Sequence, residues 1–273
     1  MNCLDKYRSK LIGELNKDLR IIQEAPEEGS VHDFRVGVKR LTAFYYFLKD
    51  IDPGLKAKKI LKPYRSLFKS IGHIRDGHIA VHLIQELDEV NLAESKILVG
   101  ALRSRIRKDY GLFKKQVRLN ARVSIRMPSV SAMGISERAI LQRKGIILNK
   151  ILLRILGTEG RMNADKWHNK RILLKRYHHK LDAFQFCPGH KSDEDELKQI
   201  KILEQLLGDW HDRVITIQLL QSFQGLEAQS GPAIAILKKQ DRLLLGSARI
   251  YLDRYRKWHE SSLIAPARAS RLI

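Results

Sequence analysis

One pattern of basic residues occurs twice in the chain, in a single register. His32, Arg35, Lys39 and Arg40 return 136 residues later as His168, Arg171, Lys175 and Arg176. A second landmark keeps the offset: Ile71, Gly72 and Asp76 are answered by Leu207, Gly208 and Asp212. Two landmarks at one offset indicate an internal duplication, so each half must fold into a version of the same unit. What the copies share is cationic side chains rather than a thiol or a catalytic carboxylate. A site built from them is a site for anions.

The period of the apolar residues is helical. Val31, Phe34, Val38, Leu41, Tyr45 and Leu48 make one stripe, and Trp167, Leu174, Tyr177, Leu181 and Phe184 make its counterpart. At about 100° per residue each stripe covers an arc of roughly 100°. His32, Arg35 and Lys39 fall within about 60° on the opposite side, with Arg40 about 80° round from His32. Core and cations therefore occupy different faces of one helix. No alternating run suggests a sheet, and breaks near Pro26, Pro53-Gly54, Pro128, Gly160, Pro188-Gly189 and Gly231-Pro232 divide the chain. Helices are expected near 4–24, 31–50, 56–89, 92–119, 136–157, 164–186, 193–224 and 233–262, with Pro63 kinking the third or marking its start. The expected fold is all-α: a single domain over 1–273, with repeat one at 1–125, a connector at about 120–135 and repeat two at 136–273. Each repeat is expected to be a four-helix bundle. Docked about a pseudo-twofold axis, the two would bring both basic helices into one central cavity.

Lys and Arg number 51 against 30 Asp and Glu, a formal net charge of +21, which favours a polyanionic partner. Further cations repeat nearby: Arg103, Arg107 and Lys114 match Lys238, Arg242 and Arg249 in spacing, on one face of the last helix of each half. Cys3 and Cys187 are far apart and lack CxxC spacing, so no disulfide is expected. With no leader-like start and no apolar run near the roughly 20 residues of a spanning helix, a cytoplasmic protein without a membrane partner is expected.

His32-x-x-Arg35-x-x-x-Lys39-Arg40 and its copy from His168, each followed by a helix with Gly72-x-x-Arg75-Asp76 or Gly208-x-x-x-Asp212, resemble the conserved histidine α-helical domain, CHAD. The resemblance implies two helical bundles in pseudo-twofold relation around a basic cavity that binds inorganic polyphosphate. It also implies association with polyphosphate granules or with a polyphosphate-metabolising enzyme. The expected contacts are His32, Arg35, Lys39, Arg40, His168, Arg171, Lys175 and Arg176, with the basic faces of the last helices. Asp76 and Asp212 are expected to pair with the motif's cations and orient them. His211 stands where the first copy has Arg75, so that position is not symmetric.

Physical chemistry supports the same ligand class. Polyphosphate carries about one charge per unit and no bases, so its receptor needs arginine forks and lysine point charges rather than base-reading groups. No catalytic residue, metal or cofactor is expected. Glu194-x-Glu196-x-Lys198 spells the ExExK string of triphosphate tunnel enzymes, but here it follows Ser192 and opens a helix instead of lying on a barrel strand. His78 and His82 have metal-ligand spacing without the glutamate of HExxH. The alternatives are a basic helical protein for nucleic acid and an accessory to a metal-dependent phosphohydrolase. Against the first, aromatics make up 7% of the chain and most belong to the apolar stripes. Sequence-specific nucleic acid is thus not an expected partner. Gly72 and Gly208 are expected to mark a close helix approach or a local break.

Overall fold

The computed structural model describes residues 3–24, 27–87, 92–119, 124–157, 162–185 and 194–269, and among these every regular element is helical. The helices are α1 (Cys3–Glu24), α2 (Glu28–Ile51), the short α3 (Ala57–Leu61), α4 (Arg65–Gln85), α5 (Leu92–Leu119), α6 (Glu137–Leu156), α7 (Ala164–Gln185), α8 (Glu194–Gln221) and α9 (Glu227–Ala269). Residues 88–89, 120–123, 186 and 193, together with Cys187 and Ser192, fall outside the described residues.

Both apolar stripes face the core, with Val38 half-buried. Val31, Phe34, Leu41, Tyr45 and Leu48 of α2 are fully enclosed, as are Leu174 and Phe184 of α7, and Trp167, Tyr177 and Leu181 are nearly so. Each such side chain contributes about 1.5–3 kcal/mol relative to exposure. Phe47 and Phe184 meet edge to face with centroids 4.9 Å apart, joining the two halves. Helices bearing equivalent sequence pack on one another: α2 on α7, α4 on α8 and α5 on α9. One buried cluster draws on α1, α2, α4, α6, α7, α8 and α9, so the halves share a core. A second cluster, including Ile84, Leu98, Leu102, Leu220 and Leu237, closes the end where α4, α5, α8 and α9 meet.

Helix ends follow local chemistry. Ser136 caps α6 by accepting from the Ala139 N–H at 3.2 Å, and Asn163 caps α7 by accepting from Lys166 at 2.9 Å. Lys170 is buried, and its Nζ donates to the carbonyls of Ile155 and Gly157 at 2.8 and 3.0 Å where α6 ends. Pro63 sits in a 3-10 turn, Lys62–Tyr64, that separates α3 from α4. Gly231-Pro232 was expected to break the chain and does not. α9 begins five residues before the proline, which forgoes one intrahelical hydrogen bond. The turn before α9 uses Gly225, whose φ of 78° suits glycine.

The described part of the connector packs tightly. Ile125, Met127, Val130 and Ile135 are buried, and Asp5 holds the turn by accepting from Val130 N, Ser131 N and Ser131 Oγ at 2.6, 3.2 and 2.5 Å. Burial pushes the Asp5 carboxyl upward, but these donors hold it below the usual carboxylate range. Arg8 donates to the Met127 carbonyl, and the Tyr45 hydroxyl to that of Pro128. Cys3 is disulfide-bonded, with a partner outside the described residues, against the expectation of free thiols. Sequence spacing cannot see a pair that folding brings together, and a disulfide runs against the expectation of a cytoplasmic protein. No helix among the described residues is long and apolar enough to cross a membrane.

Candidate anion-binding cleft

Because α2 and α7 turn their apolar stripes to the core, their opposite faces are left to border a cleft, which α4 and α8 complete. It encloses about 810 Å³. α2 contributes His32, Arg35, Lys39 and Arg40, α7 contributes Arg171 and Lys175, α4 contributes Arg75, and α8 contributes Lys201 and Arg213. First-copy and second-copy motif cations thus line one space.

The cations crowd one another. Burial, then Lys175, Arg35 and Arg171, push the Lys39 ammonium from its ordinary 10.5 down to about 7. Burial likewise lowers Lys175, which faces Arg171, and Arg171 itself. His32 is lowered by burial and Arg75, and His211 falls to about 3 through burial and the nearby Arg171. Arg171 Nε is buried with no hydrogen-bond partner among the described residues. A buried donor without an acceptor costs roughly 1–3 kcal/mol, which an anion in the cleft would offset.

Acids partly balance this charge. Arg35 Nη2 lies 3.0 Å from Asp76 Oδ1, and Arg75 Nη1 lies 2.6 Å from Glu28 Oε1. Glu28 also meets His82 Nε2 at 2.8 Å; burial raises its carboxyl, but these two partners bring it below its ordinary value. Asp76 is the reverse case: burial raises it, and Arg35 only moderates the rise. His178 Nδ1 and Glu204 Oε2 are 2.6 Å apart, and against burial the pairing raises the imidazole and lowers the carboxyl.

Of the residues named from sequence, His32, Arg35, Lys39, Arg40, Arg171, Lys175 and Asp212 line the cleft. Asp76 stands behind Arg35, whereas no ion pair joins Asp212 to a motif cation among the described residues. His168 packs against His211, ring centroids 5.1 Å apart, and is not among the lining residues. Arg176 faces away, its guanidinium 6.0 Å from the centre of the Tyr46 ring. Arg103, Arg107, Lys238, Arg242 and Arg249 are exposed on α5 and α9, and Lys114 lies 4.8 Å over Tyr110. None of these six lines the cleft.

The paired glycines differ. A Cβ on Gly72 would lie 2.6 Å from Arg35 Nη1, so the missing side chain lets that guanidinium rest on α4. Gly208 has nothing within 4 Å, so close approach is not its role, and neither glycine interrupts its helix. Glu196 of the ExExK string lies on α8 and accepts from the hydroxyls of Tyr177 and Tyr255, a packing role. His82 is engaged by Glu28, and no group of three or more metal-ligating side chains is found among the described residues.

Other lining residues, among them His178, His179, Lys201, Glu204 and Arg213, were not singled out from sequence. Arg171, Lys175, His178 and His179 follow i, i+4, i+7, i+8 spacing, a readable face. The duplication hid the last two, because their counterparts are Thr42 and Ala43.

The fold is that of known structures. The crystal structure of the CHAD domain from the plant Ricinus communis superposes with a TM-score of 0.69 at 20% identity, covering 93% of this chain and 89% of that one. PptA from Streptomyces chartreusis gives 0.60 at 12% identity, covering 93% and 98%. No curated protein matched the chain by sequence. A family model of the CHAD domain matches residues 6–221, from α1 to the end of α8. The chain, by that match and by its all-helical fold, belongs to the CHAD domain family.

Proposed function

We propose that the protein binds inorganic polyphosphate in the cleft between α2, α4, α7 and α8, without catalysing its turnover. The observation that carries this reading is the meeting of Arg35 and Lys39 with Arg171 and Lys175 around one space. Burial and then the neighbouring cations bring Lys39 down to about 7, and a chain of phosphates relieves several of these repelling charges at once. Arginine forks suit phosphate oxygens, and nothing about the lining calls for a base. Of the acids at the cleft, Glu28 and Glu204 are bonded to an arginine or a histidine, and Asp76, behind the lining, to Arg35, a pattern that suits orienting cations.

In this reading the two repeats are pseudo-twofold copies within a single domain over 1–273. The exposed cations of α5 and α9 serve a longer polymer as it leaves the cleft. Binding places the protein, or a polyphosphate-metabolising enzyme, on polyphosphate or its granules. The test is calorimetric titration of long-chain polyphosphate into the native protein and an Arg35→Ala/Arg171→Ala variant at near-physiological salt. Tight binding that the variant loses supports the reading. Equal, weak binding by both overturns it.

A further inference from the structure

On another side of the α2 and α7 pair, α6 completes a second cleft of about 660 Å³. Its cations include Lys49, Lys150, Arg154, Arg176 and Lys180, over an apolar floor from Ile147, Ile151 and Leu173. Lys180 is matched by Asp50 at 2.5 Å. Lys49, Lys150, Arg154 and Arg176 are exposed and take part in no ion pair among the described residues.

The duplication explains why charge is left over here. Arg176 is the second copy of Arg40, and in the first copy the arginine lies 3.9 Å from Asp182. The residue that stands opposite Asp182 in the repeat register is Tyr46. Arg176 therefore meets an aromatic ring where Arg40 meets a carboxylate. One copy has a carboxylate beside it and the other has a ring.

We propose that this second cleft is an anion site of its own, taking a short run of linked phosphates. A concave space of this size fits a small ligand rather than a protein face. Lys150 and Arg154 stand one turn apart, about 6 Å along α6, with Arg176 across from them. That spread suits a ligand with several charges in line better than a single ion. The linked phosphates could be a bare oligophosphate or the tail of a nucleotide. The inference does not depend on the central cleft being occupied.

The test is titration of inorganic tripolyphosphate into the native protein, a Lys150→Ala/Arg176→Ala variant and an Arg35→Ala/Lys39→Ala variant, each checked by circular dichroism. Arg154→Gln supplies an independent change in the same cleft. Two sites per chain are expected, with Lys150→Ala/Arg176→Ala removing one and Arg154→Gln weakening that one at least tenfold. A single site that only Arg35→Ala/Lys39→Ala removes would overturn this inference and leave the central cleft standing. A single site that only Lys150→Ala/Arg176→Ala removes would do the opposite. ATP titrated in parallel separates the sources: tighter binding than tripolyphosphate, lost in Tyr46→Ala, assigns a nucleotide, and equal or weaker binding assigns the bare chain.

Discussion

Polyphosphate binding should draw a proton onto Lys39. Free of ligand, its ammonium is held at about 7 by burial and by Lys175, Arg35 and Arg171, so at pH 8 only about one-tenth is charged. A phosphate chain among these cations restores the charged form, and a return toward the ordinary 10.5 takes up about 0.9 proton per site at pH 8. The sign follows from the shift. Well below pH 7 Lys39 is protonated in both states and binding takes up almost no proton there. Above it, affinity falls as pH rises, by about fivefold from pH 7 to 8 and approaching tenfold per unit beyond. Calorimetry at pH 8 in buffers of different ionisation enthalpy reads the uptake directly. Lys39→Arg should keep binding but abolish the uptake, because arginine stays charged throughout. Uptake near zero in the native protein, or unchanged uptake in Lys39→Arg, would refute the reasoning.

The same crowding implies that Lys39→Met raises the melting temperature at neutral pH while weakening polyphosphate binding, since it removes a charge held against burial and three cations. Gly72→Ala should displace Arg35 from Asp76 and cut affinity several-fold with little change in melting temperature, because the obstructing atom is the end of a flexible side chain. Gly208→Ala meets no obstruction and should stabilise α8 by about 1 kcal/mol, read as a later denaturant midpoint. Asp5→Ala strips the acceptor from the buried Val130 N–H and should cost about 2 kcal/mol. As the Asp5 carboxyl is held below its ordinary value, that stabilisation is present above the ordinary value and is lost as pH falls through the folded one. The acid limb of the native protein's stability curve should therefore be steeper than the variant's.

The apolar stripes were legible because burial imposes a 3.6-residue period whatever the partner, and Val31, Phe34, Leu174 and Phe184 all went where the period sent them. The same wheel located Arg35 and Lys39. It also set Arg40 well round from His32, in the same register as Arg176 from His168, so what divides the fourth motif position is the partner each meets: Asp182 for Arg40, which lines the cleft, and Tyr46 for Arg176. Repeat register identifies what both copies keep, so it was blind to His178 and His179, whose counterparts are uncharged. Gly208 shows the opposite failure, a residue kept in register whose counterpart's contact is missing. Pro232 misled because a proline early in a helix disturbs little, and α9 simply begins before it. The disulfide at Cys3 depends on tertiary contact and leaves no local signal.

The most direct measurement is diffraction from crystals soaked with polyphosphate. Linked phosphate density running between α2 and α7, with oxygens in hydrogen-bond reach of Arg171 Nε and Lys39 Nζ, is the predicted result. Polyphosphate bound only on the exposed faces of α5 and α9, with the cleft between α2 and α7 holding none, would contradict it.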